Sequence, residues 1–152
     1  MEELVAKAEV PALPSAIRVQ SVSRGALPGG EIPEISPESI GEVVEKVRSG
    51  ECPCLMMSSD ACGEEGYLML ESSPDRIFLQ IWDAESETAW ACFDPAFLDS
   101  DEDAPIEPSD GQSVFPMKCT MRDRALAARC VEWYAHTLQP YPGMEWLKES
   151  FG

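Results

Sequence analysis

The side chains with the most chemistry to offer are carboxylates. Between Arg76 and Lys118 there is neither Lys nor Arg, yet the span carries Asp83, Glu85, Glu87, Asp94, Asp99, Asp101, Glu102, Asp103, Glu107 and Asp110. A run of like charge is by default a solvated face. Gathered into one patch, it becomes a docking surface for a basic partner, because complementary potentials steer encounter and fix orientation. These acids fall in the two loops that flank a strand-like run at 88–93, so the fold is expected to concentrate them at one end. The candidate partner-binding residues are Asp83, Glu85, Glu87, Asp99, Asp101, Glu102, Asp103, Glu107 and Asp110. Trp90 joins them, because an aromatic beside acidic loops is the type of side chain that anchors interfaces.

Other chemistries have weaker support. Asp99, Asp101, Asp103, Glu107 and Asp110 occupy positions 1, 3, 5, 9 and 12 of an EF-hand-like loop, with Ile106 at position 8. Position 6 is Ala104 where the sharp turn wants Gly, position 7 is Pro105, and Asp110 replaces the bidentate Glu, so calcium is not expected. Cys52, Cys54 and Cys62 lack a Cys-x-x-Cys pair, and the single histidine, His136, lies on a distant helical stretch. Thiols packed in a sheet explain the cysteines better than zinc does. One histidine also leaves few ways to build a Ser or Cys triad, and no Gly-rich phosphate loop or nucleophile elbow is present. Paired carboxylates can serve as acid and base, but in so acidic a chain such pairs carry no specificity. No catalytic residue, metal or cofactor is expected.

Composition sets the partner class. The chain has 152 residues, 28 of them acidic and 11 basic, for a formal net charge of −17. Such a molecule is repelled by phosphate backbones and anionic lipid, which argues against direct nucleic-acid or membrane binding. No stretch approaches the ~20 apolar residues that cross a bilayer. The N-terminal stretch MEELVAKAEV has acids where a signal peptide needs positive charge, so a cytoplasmic location and six reduced thiols are expected.

The elements that must position these residues follow from period and punctuation. Residues 1–35 hold Pro11, Pro14, Pro28, Pro33 and the Gly29-Gly30 pair, and are expected to form an arm with at most one strand, at 16–22. Ser36, Pro37 and Glu38 make a helix start, Ile40, Val43, Val44 and Val47 recur on one face, and Gly50 stops the helix. Four short apolar runs at 55–58, 66–72, 76–82 and 88–93, separated by turn residues, predict an antiparallel meander. Residues 113–119 suggest an edge strand, since Pro116 cannot donate to a ladder. A second helix is predicted from about Thr120, with Leu126, Cys130, Trp133, Tyr134 and Leu138 on one face and Pro140 ending it. Residues 141–147 read as a turn followed by a short strand or helical turn. The whole predicts a single α+β domain over 36–152, with an antiparallel sheet of about five strands packed with two main helices.

Gly66-Tyr67-Leu68, the run Thr88-Ala89-Trp90-Ala91-Cys92-Phe93, the acidic Pro-containing loop, Gln112-Ser113-Val114-Phe115-Pro116, the helix at 125–134 and the closing segment from Tyr141-Pro142 to Trp146 occur in an order that resembles the immunity proteins of bacterial polymorphic toxin systems, in particular the first-numbered Imm family. The resemblance spans about residues 40–148. It implies a non-enzymatic protein that binds a cognate toxin domain and blocks its active site or partner surface, and it leaves the toxin's chemistry open. Toxins that attack nucleic acids or nucleotides have basic clefts, which an anionic plug can occupy by mimicking substrate charge. The alternatives are an acidic adaptor or secretion chaperone, which would bind a segment through an apolar groove, and a carboxylate-based enzyme, which would need a pocket with a perturbed carboxylate.

Overall fold

A computed structural model describes residues 2–24 and 30–152; Pro28 and Gly29 of the N-terminal arm lie outside the described residues. The first helix, α1 (Pro37–Ser49), is built as its punctuation requires. Ser36 is extended, its hydroxyl accepts from the Ser39 amide at 3.1 Å, and the Ser39 hydroxyl accepts from the Ser36 amide at 2.9 Å. At the other end Gly50 adopts φ 85°, a left-handed conformation that glycine takes without a Cβ penalty. Ile40, Val43 and Val47 are buried. The second helix, α2, is Arg124–Thr137, with Asp123 as its N-cap accepting from the Leu126 amide. The helix therefore starts four residues later than Thr120, where the sequence predicts it to begin.

The meander is present as β3 (Cys54–Ser58), β4 (Gly66–Ser72), β5 (Ile77–Asp83) and β6 (Thr88–Ala91), each antiparallel to the next. The sheet extends beyond it on both sides. β1 (Glu2–Val5) and β2 (Ser21–Ser23) come from the N-terminal residues, a two-residue β7 (Thr120–Met121) pairs the start of β5, and the C-terminal β8 is Trp146–Ser150. The order is β1-β8-β6-β5-β4-β3-β2, an eight-stranded antiparallel sheet where about five strands were expected. The α+β class stands. The arm differs from expectation: it supplies two edge strands, and it buries Val19 and Val22 in the core. Its extended segment at 18–20 is held by the Arg18 and Val19 amides donating to the Ala135 carbonyl and Gln20 to Ser58. The expected edge strand at 113–119 is also absent. A single bridge between Asp103 and Pro116 and a 3-10 turn at Met117–Cys119 occupy that stretch.

β8 inserts between β1 and β6, with Ala91 opposite Leu147 and Leu147 opposite Leu4. Its entry is set by a local lock. The Trp146 indole nitrogen donates to the Tyr141 carbonyl at 2.9 Å, and the Tyr141 ring meets Trp133 edge-on with centroids 6.0 Å apart. The same ring lies over Gly143, where a Cβ would stand 2.6 Å from it, so the close approach needs glycine.

Both helices cover one face of the sheet, over Leu55, Met57, Leu68, Leu70, Leu79, Ile81 and Trp146. The opposite face carries a second, smaller cluster in which Phe78 packs against Ile106 and Phe115, with ring centroids of Phe78 and Phe115 4.6 Å apart. Residues 99–116 are therefore pinned to the outer face of the sheet by two apolar side chains. All six cysteines are free thiols. Burial pushes the Cys92 and Cys130 thiols well above the ordinary range.

Two outcomes are expected. Phe115→Ala removes half of the aromatic pair and should cost about 3 kcal/mol, with faster amide exchange confined to residues 99–116; equal acceleration in β3 to β6 would contradict a separately pinned loop. Under native conditions at pH 8 a thiol reagent should modify Cys62, which is exposed, well before Cys92 and Cys130, as peptide mapping by mass spectrometry would record.

Candidate functional site

The acidic loop departs from β6 through an ion pair whose arginine is buried and whose carboxylate is partly exposed. Arg76, at the start of β5, is 6% exposed in its side chain and donates to Asp94 at 2.7 Å and to the Thr120 hydroxyl at 3.4 Å, while its guanidinium lies 5.0 Å from the centre of the Phe97 ring. Asp94 also caps the short turn Pro95–Phe97 by accepting from the Ala96 amide. The hydrogen bond from Arg76 outweighs partial burial and holds the Asp94 carboxyl below its usual range. Beyond this clamp the loop is closed on itself: the Ala104 amide donates to Phe115 at 2.8 Å and the Met117 amide to Glu102 at 2.9 Å. Its tip is tied to the sheet by the Ser109 amide, which donates to the buried Glu71 at 2.7 Å.

On this platform Asp99, Asp101, Glu102, Asp103, Glu107 and Asp110 are all exposed. Among the described residues none of the six enters an ion pair. Asp110 is engaged locally, accepting from the Gln112 and Ser113 amides and the Ser113 hydroxyl, which lower its pKa to about 2. Among the described residues the other five carboxylates accept no hydrogen bond. No group of three or more His, Cys, Asp or Glu among the described residues is arranged to hold a metal ion.

Asp83, Glu85 and Glu87 stand elsewhere. They belong to the turn joining β5 to β6, whereas residues 99–110 follow the other end of β6. A strand rises about 3.3 Å per residue, so loops flanking it leave from opposite ends. The expected single patch is therefore two: an acidic platform beyond one end of β6 and an acidic turn at the other. In the turn Ser86 donates to Asp83 at 2.6 Å, and Glu87 holds φ 50°, a left-handed value.

The turn borders a cleft of about 880 Å³. Glu64, Glu65, Asp83 and Glu85 supply carboxylates, Arg18 and Gln20 come from the N-terminal segment, and Trp90, Tyr134 and Leu138 form apolar wall. The loop carrying Glu64 and Glu65 is shaped by Asp60, whose carboxylate accepts the amides of Cys62, Glu64 and Glu65. Trp90 is half-buried on the helix side, with the Lys148 ammonium 6.0 Å from its ring centre. It thus joins the turn acids and not the platform. Glu64, Glu65, Arg18 and Tyr134 were not among the residues selected from sequence. Tyr134 was legible as part of the helix's apolar face; its hydroxyl, which a phenylalanine there would not carry, was the overlooked signal.

No family model, curated protein or solved structure matches the chain. Among the described residues no helix is long and apolar enough to cross a membrane.

The Arg76–Asp94 clamp has a pH signature. The folded Asp94 pKa is depressed, so its contribution is complete above the unfolded value of about 3.9 and is lost as pH falls through the lower folded value. Arg76→Gln should lower stability at neutral pH by about 2 kcal/mol and flatten the decline below pH 4. Thermal unfolding of both proteins across that range checks it, and parallel pH profiles would contradict the clamp.

Proposed function

We propose that this chain is an immunity protein that neutralises a toxin effector domain by binding it through exposed carboxylates. The observation that carries this is the platform at 99–110. Its acids are displayed without ion-pair partners among the described residues, on a loop anchored by Ile106, Phe115 and the Arg76–Asp94 clamp. Charges held ready by packing lose little conformational freedom on binding, and a field of one sign draws in a basic partner. A toxin that handles nucleic acid or nucleotides presents such a basic surface, which the carboxylates occupy in place of phosphates. The order of motifs, which resembles that of the immunity proteins of polymorphic toxin systems, is the second ground for this reading. Action is by occlusion, without catalysis or cofactor, and in the compartment where the toxin acts, the cytoplasm.

An acidic adaptor or secretion chaperone is the second reading. It draws on the outer face of the sheet, where Leu4 is 53% and Val114 66% exposed beside Ala89, Ala91 and Leu147. An adaptor of that kind would depend on this apolar strip and tolerate loss of the platform charges.

Affinity capture with the tagged chain from a bacterial lysate, followed by expression of the captured protein alone and together with this chain, tests the proposal. Growth arrest by the captured protein and rescue by co-expression are expected. The triple change Asp101→Asn, Glu102→Gln, Asp103→Asn should weaken the complex by at least tenfold, since each charged contact is worth about 1 kcal/mol or more. A captured protein that is harmless alone, or rescue that persists undiminished in the triple variant with unchanged affinity, would overturn the platform's role.

A further inference from the structure

The cleft bordered by the β5–β6 turn contains a group that the fold leaves unused. Tyr134 is 2% exposed, on the face of α2 turned toward the sheet. Among the described residues its hydroxyl makes no hydrogen bond, and none of their buried side-chain oxygens or nitrogens lacks a partner. The hydroxyl is therefore the portion of Tyr134 that meets the cleft, which the side chain lines. A phenol whose ring is buried and whose hydroxyl opens on a cleft can hydrogen-bond with whatever occupies that cleft.

The surroundings define what that occupant is. Asp83 and Asp60 lie near enough to oppose ionisation of the phenol, after burial itself, so it stays neutral and presents an oxygen lone pair. Asp83 uses one carboxylate oxygen for Ser86 and keeps the other. Glu64, Glu65 and Glu85 add negative charge at the rim. The Lys148 ammonium, paired with Glu3, lies 6.0 Å from the Trp90 ring centre, about the limit at which an indole face attracts a cation. Arg18, exposed and held beside α2 by its amide's bond to the Ala135 carbonyl, is the one basic side chain among the described lining residues and is outnumbered by these acids. A strained backbone marks the same place: Leu138, which lines the cleft, holds φ 61° as the C-cap of α2.

We infer that this cleft receives an arginine side chain of a protein partner, with Tyr134 and Asp83 accepting from the guanidinium and Trp90 beside its flat face. Arginine fits better than lysine, because a planar donor with several N–H groups serves two acceptors and an indole together. The inference rests on the proposed partner-binding function and assigns it a second contact, at the opposite end of β6 from the acidic platform. A partner engaging both ends would be oriented, where one patch alone would only attract it.

Acetyl-Arg-Arg-Arg-amide, with its citrulline counterpart as the uncharged probe, tests this on the intact chain by amide and indole NMR. The arginine peptide should shift the Trp90 indole signal and the amides at 83–85 and 134–139, and the citrulline peptide should not. Tyr134→Phe keeps the ring and removes only the unpartnered oxygen, so it should weaken the interaction about tenfold. Asp83→Asn is the second variant, for use whether or not Tyr134→Phe folds normally, and should weaken it by a similar factor. The platform triple variant should bind the peptide at this cleft undiminished. Equal binding of both peptides, or unchanged affinity in Asp83→Asn, would overturn the inference. A toxin complex that survives both cleft variants but not the platform variant would likewise sink the arginine site and leave the immunity function standing.

Discussion

The candidate surface hangs on a single strand buried on both faces. β5 pairs with β4, β6 and β7, and its side chains alternate between two cores. Leu79 and Ile81 pack under the helices, while Phe78, pointing the other way, receives Ile106 and Phe115. Because successive residues of a strand face opposite sides, a one-residue slip would exchange these sets and strand both. The acidic loop has little apolar content of its own. Its position is thus a consequence of the register of β5, with Arg76 at one end of that strand clamping its start.

Charge is distributed to suit this arrangement. The stretch after Arg76 has no cation until Lys118, and Arg76 itself is buried and spent on Asp94 and Thr120. The exposed acids are thereby left without local neutralisation. Among the described residues the remaining ion pairs are two on α1, Lys148–Glu3 between β8 and β1, and Lys118–Glu2 between the turn that closes the acidic loop and β1, and none of them includes a platform carboxylate. Exposed pairs of that kind contribute at most about 1 kcal/mol each, so they do little to offset self-repulsion in a chain of net charge −17. Stability must come from the apolar cores, against the self-repulsion of the surface acids.

Much of the framework was legible locally. Ser36, Pro37 and Gly50 punctuate α1 as caps do in any helix, and Val43 and Val47 recur with the period that buries one face. The meander from β3 to β6 followed from short apolar runs broken by turn residues. Where the local signal misled, the cause was long-range. Residues 113–119 alternate like a strand, but Phe115 is needed on Phe78, and Pro116 leaves only one bridge to Asp103. The N-terminal arm, rich in proline, was expected to hold at most one strand, yet it supplies two and its Val19 and Val22 fill the core beside β3. Nothing near them in sequence announces the strands they meet.

The sequence by itself determined the two helices, the central meander, the α+β class and the run of uncompensated acids, because caps, turns and hydrophobic period are written within a dozen residues. Tertiary structure decided where the charges stand. It inserted β8 between the N-terminal strand and β6, sent the two acidic loops to opposite ends of β6, and assembled one cleft from segments as distant as Arg18, Glu64, Asp83, Trp90 and Tyr134. Those outcomes depend on strand pairings and packing between residues far apart in the chain, and no local pattern encodes which partner an edge or an aromatic will find.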